Sequence, residues 1–296
     1  QLADSPSMVR VTTSGLISRI DSDDVAVVIG TKRKRHDAVM IRVKTTTRSD
    51  IGFVTNLGRV VRIHVADIPA ISEPTDVAGG AKASDFLGLA KKERLLHAFE
   101  LAETTGLSIG TKLGTVKRLS ADWPAKNEFE IIALKPGDEL VGACEANDQM
   151  QFIFVTNDAQ LLRFKADSVR PQGRGAAGVA GINVAKGAEA IFFGAVEENA
   201  VVVTAANNSS ALAGTDSGSA KLSALSEFPM KGRATGGVRA HKFIRNEDQL
   251  YFAWAGNQEL LASTADGKPI ELSLEPAKRD ASGTKLSTPL GAIGHP

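Results

Sequence analysis

Short runs in which apolar and polar positions alternate recur along the chain, and they come in pairs joined by turn residues. Each pair has the same form. An apolar strand ends in a small polar residue, a turn of Gly, Asn or Asp follows, and a second strand carries basic side chains. The instances are Val9–Ile20 (VRVTTSGLISRI), Ile51–Val65 (IGFVTNLGRVVRIHV), Leu107–Leu119 (LSIGTKLGTVKRL), Phe152–Lys165 (FIFVTNDAQLLRFK), Val201–Leu222 and Tyr251–Leu274. Their starts lie roughly 42 to 56 residues apart, the spacing of propeller blades. Ser14-Gly15, Leu57-Gly58 and Leu113-Gly114 put Gly where a tight hairpin needs positive φ, and Asn157-Asp158 and Asn207-Asn208 supply the next-best residues for that conformation.

A second element recurs between these hairpins: a polar, Gly-rich loop, an apolar strand, an acidic turn and another apolar strand. Glu128–Ala143 (EFEIIALKPGDELVGA) is the clearest copy, and Gly178–Ala195 and Gly237–Ala253 match it. The copy at Ala83–Phe99 is longer, with a helical turn expected at Ala90–His97, and the first copy, His36–Val43, is short. Four strands per unit and six units predict an all-β fold, a six-bladed β-propeller-like ring of four-stranded blades. As one domain it divides into blades at roughly 8–50, 51–106, 107–150, 151–199, 200–249 and 250–294. A pair of β-sandwiches is the competing arrangement, but sandwiches do not repeat both elements in the same order.

Composition narrows the function classes. Lys plus Arg total 35 and Asp plus Glu 34, a net charge of +1, so any electrostatic footprint must come from uneven placement. The single cysteine, Cys144, excludes an intrachain disulfide and a Cys-based zinc site, and fits a reducing, cytoplasmic setting. No basic flank precedes an apolar run at the N-terminus, so no signal peptide is expected. The longest apolar runs, Val25–Ile29 and Ala188–Val196, are too short or too interrupted to cross a bilayer. The abrupt polar start at Gln1 suggests a piece of a longer protein.

Enzyme signatures are weak. Gly173–Gly178 satisfies G-x-G-x-x-G, but Pro171 precedes it, strand-like Val179–Val184 follows, and no acidic residue sits at the expected later place, so it reads as a loop. His36, His64, His97, His241 and His295 are not at ligand spacing, so neither metal nor cofactor is expected. Tyr251, the one tyrosine, lies in an apolar strand and reads as a core or interface side chain. Cys144 has no basic neighbour to activate it.

The basic residues recur with the repeat. Lys32, Arg33, Lys34 and Arg35 form a run in the first loop; Arg59 and Arg62, Lys117 and Arg118, and Arg163 and Lys165 follow on successive second strands, with Arg170 and Arg174 just beyond. Equivalent positions in repeats map to equivalent positions on blades, so these twelve are the candidate contacts for a phosphate backbone followed without base reading. Lys231, Arg233, Arg239 and Lys242 flank a later Gly-rich loop. The competing account of each residue is a charged strand edge guarded against aggregation.

Several of these segments together resemble the C-terminal domain of the bacterial type IIA topoisomerase A subunits, the family that comprises the gyrase and topoisomerase IV proteins of that type. They are FVTNLGRVVRI at Phe53–Ile63, IGTKLGTVKR at Ile109–Arg118, FVTNDAQLLRFK at Phe154–Lys165, PGDELV at Pro136–Val141, SVRPQGRGAAGVAGI at Ser168–Ile182 and FPMKGRATGGV at Phe228–Val238. The resemblance runs through all the repeats. It implies a β-pinwheel, in which blades exchange strands, and a non-catalytic role binding and bending double-stranded DNA beside the catalytic core of the same polypeptide. It further implies an ATPase B subunit as indirect partner, a monomeric isolated domain, and a bacterial, cytoplasmic, nucleoid-associated setting. In this family the strand-cleaving tyrosine and the metal-binding carboxylates lie outside this domain, and Tyr251 does not match the tyrosine's context. The gyrase members carry a Gln-Arg-Arg-Gly-Gly-Lys-Gly box in the first-blade loop. At that place stands Ile29–His36 (IGTKRKRH), which keeps the charge without the Gln or the glycine spacing, and Gln172–Gly178 (QGRGAAG) matches only in part. The departure favours the topoisomerase IV type over the gyrase type. Two alternatives remain: a protein-docking propeller, with apolar residues on its flat face, and an enzyme with its site in the central channel.

Overall fold

The computed structural model describes residues 1–22, 32–73, 77–102, 106–212 and 214–296. The run Val25–Ile29 and the first three residues of the Ile29–His36 segment lie outside the described residues. The described residues form six small sheets. In the first, Val39–Thr46, Pro6–Thr12 and Leu16–Ile20 are followed by Ala81–Lys82 as the outer strand. The last of these comes from beyond the second hairpin, Asp50–Thr55 and Arg59–His64.

The same exchange repeats around the ring. Glu128–Glu130 completes the second sheet on Arg59–His64. Pro171–Gln172 and Val179–Ala180 complete the third on Thr115–Leu119. Val238–Arg239 completes the fourth on Gln160–Lys165, and Thr284–Lys285 the fifth on Ser219–Ala224. Each of the first five blades therefore receives its outer strand from the next repeat, the pinwheel arrangement, while the sixth sheet has three strands among the described residues. The inner strands Val39–Thr46, Leu95–Glu100, Leu140–Cys144, Ala190–Val196 and Gln249–Gly256 pack against one another in succession.

The ring closes. Ala292–Gly294 of the sixth sheet packs against Val39–Thr46 of the first. Val39 N donates to the His295 carbonyl at 2.7 Å, and His295 N returns the bond at 2.9 Å. Thr13 Oγ1 and Ser263 Oγ are 3.0 Å apart across the same seam.

Local chemistry accounts for the hairpins. Thr12, Thr111 and Thr156, each ending a strand, and Thr264, one residue past one, accept at Oγ1 the N–H four residues on, at 3.0, 3.0, 3.1 and 3.0 Å. In the fourth hairpin positive φ falls on Ala159, at 62°, rather than on Asn157 or Asp158, because the turn keeps the geometry that Gly58 and Gly114 give its neighbours. Strand Val39–Thr46 alternates buried and exposed residues over its length. The buried residues form layers between blades: Val9, Val11 and Ile17 of the first pack with Ile51, Phe53 and Val61 of the second. Phe193 seats on two glycines of the third blade. A Cβ on Gly110 would stand 2.2 Å from the ring, and one on Gly142 would stand 2.1 Å from the Phe193 carbonyl.

Two elements differ from the expected ones. The helical turn is at Ala83–Phe86, and Leu95–His97, the end of the turn expected at Ala90–His97, belongs instead to Leu95–Glu100, an inner strand of the second sheet. Strand Gln249–Gly256, read as opening the sixth hairpin, pairs with Val201–Asn207 in the fifth sheet. The sixth hairpin is the shorter pair Leu261–Ser263 and Pro269–Ile270, whose few apolar residues carry little period-two signal.

Candidate nucleic-acid interface

The outer circumference is built from the exchanged strands and the loops leading to them, which carry Arg170, Arg174, Arg233, Arg239, Lys278, Arg279 and Lys285. The position four residues past the hairpin glycine is arginine in four blades or its equivalent: Arg19, Arg62, Arg118 and Arg163. Each reaches forward to the next repeat. Arg19 Nε donates to the Ile68 carbonyl at 2.8 Å, Arg62 Nη2 to Pro124 at 2.7 Å, Arg118 Nη1 to Ala166 at 3.1 Å, and Arg163 Nε to Phe228 at 2.8 Å. Carboxylates take further donors: Asp50 from Arg62, Asp148 from Arg118, and Glu198 from Arg163. These arginines span the gap between blades.

Arg59 lies between two carboxylates. Its guanidinium meets Glu93 at 2.6 Å and Glu128 at 2.9 Å. The hydrogen bonds from Arg59, and then those from Thr55 and the Ala90 N–H, hold the buried Glu93 carboxyl down at about 2. Arg33 fastens the ring seam: Nη1 donates to Ala262 at 2.7 Å and Ile270 at 2.9 Å, and Nη2 meets Asp37 at 2.9 Å. Arg35 pairs with Asp266 at 3.0 Å and stays half exposed.

Lys117 is buried, 1% exposed. Its ammonium donates to the carbonyls of Ile131, Arg174 and Ala176 at 2.8, 2.9 and 2.7 Å. Burial, then the Arg174 charge, lowers it to about 8. Arg174 lies over the Phe129 ring at 5.8 Å. Of the twelve candidates, Lys32, Lys34, Arg35, Lys165 and Arg170 are exposed, while Arg33, Arg59, Arg62, Arg118 and Arg174 are half-buried and Lys117 and Arg163 are buried.

Other rim residues join the exposed group: Arg239, Lys242, Lys278 and Lys285. The loop arginines Arg174, Arg233 and Arg279 are equivalent and form a chain along the rim. They donate to the carbonyls of Glu130, Ala180 and Arg239 at 3.5, 3.1 and 3.0 Å, the same position on three successive outer strands. Sequence reading missed Arg19, Lys221, Lys278, Arg279 and Lys285. Lys221 stands where Lys117 does, but the fifth hairpin turn, from Asn207 to Gly218, is long, and counting from the first strand loses the register.

No helix of the described residues is long and apolar enough to span a membrane. The described residues also hold no group of three His, Cys, Asp or Glu side chains able to hold a metal. Tyr251 is half-buried, its hydroxyl donating to the Ser217 carbonyl at 3.1 Å and accepting from Leu290 N at 3.0 Å. Burial lifts the Cys144 thiol to about 12.

The family model described as the DNA gyrase C-terminal domain, beta-propeller, matches residues 51–72, 151–196 and 210–242. The chain is similar to DNA gyrase A subunits and, in fold, to C-terminal domains of DNA topoisomerase IV and DNA gyrase A. It is 28% identical to the DNA gyrase A subunit of Streptomyces coelicolor over 310 aligned residues, 96% of this chain and 35% of that protein. It is also 28% identical to the DNA gyrase A subunit of Mycobacterium tuberculosis over 87% of this chain and 30% of that protein. The chain thus spans about a third of the length of these relatives. A crystal structure of the C-terminal domain of DNA topoisomerase IV superposes with a TM-score of 0.78 at 18% identity, covering 99% of this chain and 94% of that one. The structure of a DNA gyrase A C-terminal domain gives 0.65 at 17%, covering 98% and 99%. Arg33 and Arg35 of the Ile29–His36 segment are bonded across the ring seam.

Proposed function

We propose that this domain grips and bends double-stranded DNA along its rim by backbone contacts, with little sequence preference, and presents it to the breakage–reunion core of a type II topoisomerase. The observation that supports this is the succession of exposed cations on successive repeats: Lys165 at the end of a second strand, Arg170, Lys242 and Lys278 in loops, and Arg239 and Lys285 on outer strands, with Lys32, Lys34 and Arg35 at the seam. A row of cations around a curved edge suits a polyanion that bends, the elastic cost of about 1–6 kcal/mol for a 20–30 base-pair site being offset by many phosphate contacts. The chain itself is non-catalytic in this reading. The longer protein would be an ATP-dependent topoisomerase, bacterial and cytoplasmic, joined through its core to an ATPase B subunit, and the isolated domain would be a monomer. Binding to a 40-base-pair duplex between 50 and 200 mM salt tests the reading: with about six phosphate contacts affinity should fall about a thousandfold. Salt-independent binding, or none at low salt, refutes it.

Within this family we favour the topoisomerase IV type, with weak wrapping. Supporting it, the first-blade segment keeps charge without the gyrase box, and two of its four cations are engaged at the seam. Gyrase-type wrapping is the second reading, supported by the gyrase proteins among the relatives. Ligation of nicked circles in the presence of the domain separates them. A linking difference near zero fits the first reading, and a large positive one fits the second.

A further inference from the structure

Two ammonium groups inside the rim use no carboxylate to hold a loop. Lys117 Nζ donates to three carbonyls, two of them, Arg174 and Ala176, in the loop of residues 170–178. Lys221 is its repeat equivalent, 3% exposed, and its Nζ donates to the carbonyls of Lys278, at 2.9 Å, and Arg279 in the loop of residues 275–283. Arg174 and Arg279 are themselves equivalent, so both lysines hold the same point of their loops. Elsewhere the position is Ser18, Val61, Leu162 or Ile270. The loops so held carry the exposed cations Arg170 and Lys278.

We propose that Lys117 and Lys221 are positioning residues for DNA: each is a peg that fixes the main chain of one rim loop, holding its outward cations on a common curve. The inference rests on the DNA-binding reading above. Carbonyl oxygens that converge on one point repel each other unless a cation sits between them, so without the charge the loops lose this shape. A preorganised loop leaves less entropy to be lost on binding, and a loop that has relaxed forfeits that gain. Charge is also what makes the peg pH-sensitive. Burial, more than the neighbouring charges, lowers Lys221 to about 8, as it does Lys117. The charged groups that face them are Arg174 at Lys117, and Asp280, Glu227, Arg279 and His241 at Lys221. Of these only His241 is a histidine, and burial holds it at about 4, so it stays neutral from pH 7 to 9. A neutral lysine has two N–H donors and no charge to set against the carbonyls.

The test is DNA bending by end-to-end energy transfer on a 40-base-pair duplex, with the wild type, Lys117→Met/Lys221→Met and Lys117→Arg/Lys221→Arg, at pH 7 and 9 and constant ionic strength. The methionine pair should bind at least fivefold more weakly at pH 7 and bend less, with no change between pH 7 and 9. The wild type should approach it at pH 9. The arginine pair, charged at both pH values, should retain part of the bending at pH 9. Wild-type bending by the methionine pair, or a flat wild-type profile, overturns the proposal. Should no variant bind DNA, the DNA-binding reading fails, and hydrogen exchange still judges the pegs. The Ala176 and Ala281 amides, which bond to Gly173 and Lys278 carbonyls, should exchange at least tenfold faster in the methionine pair. Unchanged exchange there overturns the pegs as well.

Discussion

Arg163 separates the two roles that a repeated basic residue can have. It is 6% exposed, and its Nε donates to the carbonyl of Phe228, itself 1% exposed, while Nη1 donates to Gln151 Oε1 at 2.9 Å. Glu198 at 3.4 Å is mostly in water and contributes little. Arg163→Met keeps the alkyl stem and removes both charge-assisted bonds, leaving the Phe228 carbonyl and the Gln151 amide oxygen buried without their donor. Such groups cost roughly 1–3 kcal/mol each, part of which returns because the guanidinium no longer has to be desolvated. The net loss is about 3 kcal/mol, which for a chain of this length lowers Tm by about 5 °C. Urea unfolding followed by tryptophan fluorescence measures it, with DNA affinity taken at a temperature where the variant is folded. Affinity should change less than twofold. Lys165→Ala and Arg170→Ala, both exposed, should do the reverse: stability within about 0.5 kcal/mol of wild type, and affinity reduced severalfold. An Arg163→Met protein with wild-type stability and greatly weakened DNA binding would refute the assignment of this arginine to the blade seam.

Three further outcomes are expected. Glu93 has its pKa depressed to about 2, so the Arg59 pair contributes stability that is complete above the unfolded value of about 4.5 and disappears as pH falls through about 2, roughly 3 kcal/mol in all; urea midpoints at pH 7, 4 and 3 should fall steeply in the wild type and far less in Glu93→Gln. Gly110→Ala should cost about 1–3 kcal/mol in thermal unfolding, because its Cβ meets the Phe193 ring, whereas Gly173→Ala, with open space around it, should be silent. Arg33→Ala removes two carbonyl bonds across the ring seam, and should speed hydrogen exchange at the Val39 and His295 amides while leaving the Phe154 amide, on the far side of the ring, unchanged.

Much of this was legible in the residues. The period-two runs and the Ser-Gly and Leu-Gly turns mark the first three hairpins, because a tight turn needs a residue at positive φ and glycine advertises it. Ala159 takes that conformation without advertising it, and its hairpin is recognisable only from Phe152–Val155 and Leu161–Phe164 beside it. The sixth hairpin was displaced because Tyr251–Ala255 is the most apolar strand nearby, yet a strongly apolar strand serves equally well as an inner strand of the fifth blade. The basic repeat was visible, but its uses were not. Arg163 and Lys165 are two residues apart on one strand; one is buried against the next blade and the other faces water, and only the partner carbonyl at Phe228 distinguishes them. Carbonyls belong to every residue, so a side chain that bonds to main chain leaves no mark in the sequence.

The borrowed outer strand has a consequence for how such a ring changes size. Each repeat from the second to the fifth both lends an outer strand and receives one, so deleting or inserting one such repeat leaves every remaining junction with a lender and a borrower. Only one place is unlike the rest: the meeting of the last blade with the first, where Arg33, His36 and Val39 reach Ala262, Gly267 and His295. The number of blades is therefore free to drift by duplication, while the burden of fitting the altered curvature falls on that single junction. The basic segment beside it would be the part of the molecule most constrained by the count.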